Sequence, residues 1–138
     1  MRFNKIIPVF GDVNFRGECK SEYCEQVDFY AWLKLKYPEY HSLFLHPKTE
    51  GHRTYQQVNY EKRAGGIPKS LPDLMIINNY PFCVELKKKN HVKSKWQNGQ
   101  QEKLIELKSA GCFIGVALGA DGAKEAFLKW LETIEKGE

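Results

Sequence analysis

Hydrophobic and polar residues recur at helical and strand spacings along most of this chain, and turn-forming residues separate the segments. Ser21 is a favourable helix N-cap, and Pro38 is expected to stop the segment that follows it. The sequence therefore predicts a first helix over residues 21–37. Its apolar stripe, at helical spacing, is formed by Tyr23, Val27, Tyr30 and Ala31.

The centre of the chain has the pattern of a β-hairpin. Residues 73–77 and 82–87 are apolar runs, and the turn formers Asn78, Asn79, Tyr80 and Pro81 separate them. A short strand is also predicted over residues 43–45, and a buried strand over residues 112–118.

Three further helices are predicted. They cover residues 55–64, which end at two glycines, residues 98–110, which end at Gly111, and residues 123–134. The apolar pattern of the first of these is weak, so a loop is an alternative there. The elements together predict an α/β fold in which helices flank a central mixed sheet.

The length of 138 residues fits one domain with a real core. We expect an arm over residues 1–20 and a single domain over residues 21–138. No apolar run approaches the length of a membrane span, and the N-terminal apolar stretch is short and broken by Pro8. A cytoplasmic protein without a membrane partner is therefore expected.

Cysteine and histidine leave a zinc site as an alternative. Cys19 and Cys24 precede His41, His46 and His52, but none of the usual ligand spacings occurs. Reduced cysteines and solvent-facing histidines are the favoured interpretation.

The net charge of +4 is unevenly distributed. Residues 87–95 contain five lysines and no acidic residue, a strip that attracts polyanions through counterion release. A solvated lysine-rich loop is the alternative for such a strip on its own.

The hairpin carries the candidate chemistry. Because side chains alternate along a strand, Glu85 and Lys87 are expected on one face, opposite Val84 and Leu86. A turn around Asn79 places Asp73 across from Glu85, and two carboxylates so close repel each other unless a cation lies between them. Mg²⁺ suits such oxygen ligands, with the Leu86 carbonyl as a further ligand.

Phosphodiester hydrolysis is the reaction that fits these groups, with Lys87 orienting the water or stabilising the transition state. A surface salt bridge between Glu85 and Lys87 is the structural alternative. In the first helix either Glu22 or Glu25 could support the site, or could merely suit the helix dipole. Gln100 could bind a metal-bound water or a phosphate, or could be an ordinary polar residue of a first turn.

These residues resemble the PD-(D/E)XK nuclease superfamily, and within it the VRR-NUC branch, over roughly residues 21–131. The similarity lies in Leu-Pro-Asp-Leu at 71–74, Val-Glu-Leu-Lys at 84–87, the helix that begins Ser-Glu-Tyr-Cys-Glu-Gln at 21–26, the turn at 46–53 that ends in arginine, and the helix that contains Gln100. Ser70 stands where the family usually has a glycine. The alignment selects Glu22 over Glu25.

The resemblance implies a restriction-endonuclease-like core in α-β-β-β-α-β order and a DNA endonuclease. It implies catalysis by Glu22, Asp73, Glu85, Lys87 and Gln100, and Mg²⁺, or Mn²⁺ in its place, at Glu22, Asp73, Glu85 and Leu86, with no organic cofactor. The residues expected to contact DNA are Arg53, Lys62, Arg63, Lys88, Lys89, Lys93 and Lys95.

Small stand-alone members of this branch are common in phages and act as homodimers on four-way (Holliday) junctions and other branched DNA. A phage-encoded homodimer acting in the host cell is thus the implied context. The aromatic residues of the arm, Phe3, Phe10 and Phe15, could pack on the partner subunit. The alternative function is a catalytically silent DNA-binding module on the same fold.

Overall fold

The computed structural model describes residues 1–47 and 54–137. Within these ranges the strands are Val9–Phe10 (β1), Phe44–Leu45 (β2), Leu74–Ile76 (β3), Phe82–Lys87 (β4) and Phe113–Leu118 (β5). The α-helices are Glu22–Lys36 (α1), Pro38–His41 (α2), Tyr55–Arg63 (α3), Gln100–Ser109 (α4) and Gly119–Lys136 (α5), and a 3-10 helix spans His91–Lys93. No helix of the described ranges is long and apolar enough to cross a membrane.

One mixed sheet has the strand order β1-β5-β4-β3-β2. The hairpin strands β3 and β4 are antiparallel, as are β2 and β3, whereas β5 runs parallel to both β4 and β1. Every residue of β4 and β5 is buried, as is usual for neighbouring parallel strands covered on both faces. The prediction of a mixed sheet flanked by helices, with α1, β2, β3, β4, α4 and β5 in that order, is confirmed.

Alternation along β4 divides the core into two layers. Phe82, Val84 and Leu86 pack with residues of α1 and α5, whereas Cys83 packs with Leu104 of α4 and with residues of β5. Since side chains alternate across a strand, Glu85 and Lys87 lie on the same face as Cys83. The face that carries the candidate chemistry is therefore the one covered by α4.

The buried face of α1 differs from the prediction. Glu25, Phe29 and Leu33 are buried, whereas Tyr23 and Val27 of the predicted stripe are exposed. The aromatic and aliphatic residues of α1 are distributed over several sides of the helix, so their spacing alone did not identify the buried stripe. The side that is buried carries Phe29 and Leu33, which belong to the same core cluster as residues of β4 and α5.

The N-terminal segment joins the sheet through β1, a strand that the sequence did not predict. Phe10 stacks on Phe113 in the core, Phe3 contacts the ring of His91, and Phe15 lies under the ammonium of Lys89. These contacts are within the chain and bury Phe10, whereas Phe3 and Phe15 are half-buried, so their packing on a partner subunit stays a prediction. Burial lowers the pKa of His91, which keeps this imidazole neutral near pH 7.

Glu25 links α1 to α5. Its Oε2 accepts a hydrogen bond of 2.9 Å from the Ala120 amide in the first turn of α5. Gly119, with φ of +71°, allows this approach, since a Cβ there would lie 2.0 Å from that oxygen. This contact explains why α5 begins at Gly119, four residues before the predicted residue 123.

The orientation of α1 can be tested with two truncations on opposite sides of the helix. Phe29→Ala should lower the free energy of unfolding by about 3–5 kcal/mol, because it leaves a cavity in the core. Val27→Ala, at a half-exposed position, should lower it by less than about 1 kcal/mol. Urea denaturation of both variants checks this, and equal losses would contradict the orientation.

The two glutamates of α1 should also differ in their effect on stability. Glu25→Ala removes the partner of the buried Ala120 amide and should lower the free energy of unfolding by about 1–3 kcal/mol. Glu22→Ala, at an exposed position of the same turn, should change it by no more than about 0.5 kcal/mol. Thermal denaturation compares the two, and a larger loss for Glu22→Ala would refute the assignment of Glu25 as the cap.

Candidate active site

The hairpin register brings Asp73 beside the middle of the sheet. Leu74 pairs with Val84 in the antiparallel ladder, so the next position along places Asp73 opposite Glu85. The Asp73 Oδ2 accepts a hydrogen bond of 3.1 Å from the Leu86 amide, which lies between Glu85 and Lys87 on β4. Asp73 is 4% exposed and Glu85 is 2% exposed, so both carboxyl groups lie at the buried end of the site.

Gln100, the first residue of α4, connects Glu85 with Lys87. Its Oε1 accepts hydrogen bonds from the Lys87 ammonium at 2.9 Å and from the Gln97 amide at 2.8 Å. Its Nε2 donates to the Glu85 Oε1 at 3.2 Å. Because the two donors at Oε1 fix the orientation of the amide, the NH₂ group has to face Glu85.

Lys87 is almost fully buried, and its charge is compensated locally. Its ammonium donates to the Lys95 carbonyl at 2.8 Å as well as to Gln100. A buried charge is tolerated only when it is paired and hydrogen-bonded. The Glu85–Gln100–Lys87 arrangement is therefore a buried network of charged and polar groups, and not the surface salt bridge considered as an alternative.

The network opens into a cleft of about 290 Å³. Two carboxylates and four ammonium groups line it, together with a hydroxyl and two amides. These residues are Glu22, Glu85, Lys87, Lys88, Lys93, Ser94, Lys95, Gln97 and Gln100. The excess of positive charge favours an anionic ligand.

The two candidate glutamates of α1 are in different environments. Glu22 lines the cleft, whereas Glu25 caps α5 through the Ala120 amide. The helix therefore presents to the cleft the carboxylate that the resemblance selected.

The basic residues expected to contact DNA are distributed over several places. Lys88, Lys93 and Lys95 line the cleft with Lys87. Lys89 is directed to a neighbouring cleft, where its ammonium lies 3.7 Å from Asp121. Lys62 and Arg63 are exposed in the last turn of α3, and Arg53 lies outside the described residues.

The donor set fits a hard divalent cation. Asp73 and Glu85 offer carboxylate oxygens, with the Leu86 carbonyl next to Glu85 in sequence and Glu22 in the same cleft. Mg²⁺ commonly takes one or two protein carboxylates and completes its coordination with water and phosphate. Among the described residues, no three His, Cys, Asp or Glu side chains form a group that could hold a metal ion. The carboxylate ligands would therefore be the pair Asp73 and Glu85, and Glu22 lines the cleft without completing such a group.

The described cysteines and histidines give the zinc alternative no support. All four cysteines are free thiols, and burial raises the pKa of Cys83 to about 12. His41 and His46 are half-buried, which corrects the expectation that they face solvent. His52 lies outside the described residues.

His46 is a site contact that the sequence did not indicate. Its Nδ1 lies 2.7 Å from the Asp73 carbonyl, so the ring donates to the backbone of the residue that carries the carboxylate. The histidine follows β2 and the aspartate precedes β3, and these two strands pair. Only this pairing, which is not visible in local spacing, brings them together.

Ser70 adopts a backbone conformation that suits glycine. Its φ is +66°, and its hydroxyl donates to the Asn98 carbonyl at 3.1 Å, close to Gly99 at the start of α4. A left-handed conformation costs a non-glycine residue roughly 1 kcal/mol. The positive φ explains why a glycine would suit this position, where the resemblance expects one.

Comparisons with known proteins agree with this fold. No family model matches the chain, and no curated protein is similar to it in sequence. A solved structure described as a VRR_NUC domain protein superimposes with a TM-score of 0.65 at 18% identity. The match covers 86% of this chain and 92% of that structure. The chain therefore has a VRR-NUC-like fold.

Proposed function

We propose that this protein is a Mg²⁺-dependent nuclease that hydrolyses phosphodiester bonds in DNA, with the cleft between α1 and α4 as its active site. The observation that carries the proposal is the Gln100 amide, which joins Glu85 to Lys87 beside Asp73. The likeness in fold to a VRR_NUC domain protein supports the same reaction class.

Asp73, Glu85 and the Leu86 carbonyl would hold the metal ion, with Glu22 as a further carboxylate in the cleft. When bound, Mg²⁺ lowers the pKa of a water molecule and neutralises charge on the phosphate. Mn²⁺ would substitute, since it accepts the same oxygen ligands.

The protein groups have separate tasks in this scheme. Lys88, Lys93 and Lys95 bind the phosphates of the DNA backbone through charge. The Lys87 ammonium has three N–H donors, and among the described residues Lys95 and Gln100 accept from two of them. In this proposal the third donates to a phosphate oxygen on which charge builds. Gln100 keeps Lys87 and Glu85 at a fixed separation.

Branched DNA is the proposed substrate class, and a homodimer is the proposed active form. A four-way junction has two strands to be cut symmetrically, which a two-fold pair of active sites matches. The VRR-NUC resemblance alone supports the substrate class and the homodimer. It also supports the proposal that the protein is encoded by a phage and acts in the host cell.

The catalytic assignment is tested by isosteric removal of each metal-binding charge. Asp73→Asn and Glu85→Gln should each lower cleavage of labelled DNA by at least about 100-fold, since the cation is no longer held against the phosphate. Linear duplex, flap and four-way-junction DNAs would be compared in Mg²⁺, in Mn²⁺ and in EDTA, and EDTA should abolish cleavage.

Glu102→Gln is the matched control, because Glu102 is an exposed carboxylate on the same helix as Gln100. It should cleave at the wild-type rate. Unchanged cleavage by Glu85→Gln would overturn the site assignment. A wild-type protein that binds DNA but cleaves none of the three substrates in either metal would instead favour the silent DNA-binding module.

The role of the lysines is tested by the salt dependence of binding, in the Glu85→Gln background so that the DNA stays intact. Lys93→Gln with Lys95→Gln should reduce the slope of log affinity against log salt by about 1 for each phosphate that the protein no longer neutralises. Lys34→Gln with Lys36→Gln, at the far end of α1, removes the same charge away from the cleft. Equal effects of the two pairs would show that only the net charge matters.

A further inference from the structure

Three side chains of the lysine loop, residues 88–97, donate hydrogen bonds to backbone carbonyls of the N-terminal segment, residues 1–20. Trp96 Nε1 donates to the Arg2 carbonyl at 2.7 Å, His91 Nε2 donates to the Val13 carbonyl at 3.0 Å, and Asn90 Nδ2 donates to the Gly17 carbonyl at 3.2 Å. Because β1 of this segment pairs with β5, these hydrogen bonds connect the loop to the edge of the sheet.

Two consecutive residues of the loop contact the ammonium of Lys87. The Lys95 carbonyl accepts its hydrogen bond at 2.8 Å, and the indole ring of Trp96 lies 5.5 Å from Nζ, measured to the ring centroid. The aromatic face attracts a cation electrostatically, and the bond from Nε1 to Arg2 fixes where that face lies. Trp96 is half-buried, which limits solvent screening of this contact.

We propose that Trp96 is a positioning residue for Lys87, held in place by the backbone carbonyl of Arg2. This inference rests on the proposed function, in which the Lys87 ammonium meets the reacting phosphate. A lysine side chain has four rotatable bonds, so a single placement of its ammonium needs contacts from several directions. Gln100 fixes it from α4, and Trp96 fixes it from the loop.

Positioning predicts a loss of turnover with little loss of substrate binding. Trp96→Leu should lower kcat on duplex or branched DNA by about 10-fold, because the ammonium loses its orienting ring. KM should change by less than about 2-fold, since the phosphate-binding lysines remain. Trp96→Phe keeps an aromatic face without the bond to Arg2 and should fall between wild type and Trp96→Leu.

Val92→Ala is the matched control. Its side chain is exposed in the same loop and should leave kcat, KM and the melting temperature at their wild-type values. A melting temperature for Trp96→Phe near that of the wild type establishes that its kinetic effect does not come from unfolding.

A double-mutant cycle tests whether Trp96 acts through Lys87. In the Lys87→Ala background, Trp96→Leu should lower the residual rate by less than about 2-fold, because the group that it positions is already gone. A further 10-fold loss in that background would overturn the proposal, and so would a wild-type kcat for Trp96→Leu.

An NMR measurement keeps the inference separate from the proposed function. With lysine labelled by ¹³C at Cε, the Lys87 signal, assigned by its loss in Lys87→Arg, should be shifted upfield by the indole ring and should move downfield in Trp96→Leu. A signal that stays in place contradicts the positioning role even if DNA is cleaved. A wild-type protein that shows this shift but cleaves no DNA refutes the proposed function alone.

Discussion

The structure depends on how two opposite charges are accommodated on a buried strand. Glu85 and Lys87 lie on β4, the central strand of the sheet, where they are only 2% and 3% exposed and little water compensates their charges. The side-chain amide of Gln100 compensates both charges, because it accepts a hydrogen bond from the Lys87 ammonium and donates one to the Glu85 carboxylate. The position of α4 relative to the sheet is therefore fixed by polar bonds as well as by the packing of Leu104 on Cys83.

A second buried carboxylate fixes the other layer. Glu25 holds the first turn of α5 to α1, and α5 in turn reaches the hairpin, where Trp130 donates to the Tyr80 carbonyl at 2.7 Å. The helices on both faces of β4 thus start at residues that are bonded to another element. Gln100, the first residue of α4, bonds to β4, and Ala120, in the first turn of α5, bonds to Glu25 of α1. The hairpin of β3 and β4 is thus packed between helices on both faces of the sheet. The register of β3 against β4, which places Asp73 opposite Glu85, is therefore strongly specified.

Much of the fold and the centre of the site could be predicted from short-range pattern. The alternation in β4 and the turn formers at Asn78 and Pro81 determine the hairpin, and the hairpin alone brings Asp73 to Glu85. The buried face of α1 could not be predicted in this way, because its apolar residues surround the helix. Spacing also left Glu22 and Glu25 as alternatives, and only the resemblance selected Glu22. The contact of Glu25 with the Ala120 amide, beside the distant Gly119, then shows that Glu25 caps α5, while Glu22 lines the cleft.

The contacts that the sequence did not reveal are those between residues far apart in the chain and without a motif. Trp96 and Arg2 meet because β1 adds to the edge of the sheet, and a two-residue strand leaves almost no periodic signal. His46 reaches Asp73 through the equally short β2. In both cases a short edge strand brings a distant segment to the site, so the two ends of the sheet contribute contacts around a centre that the hairpin defines.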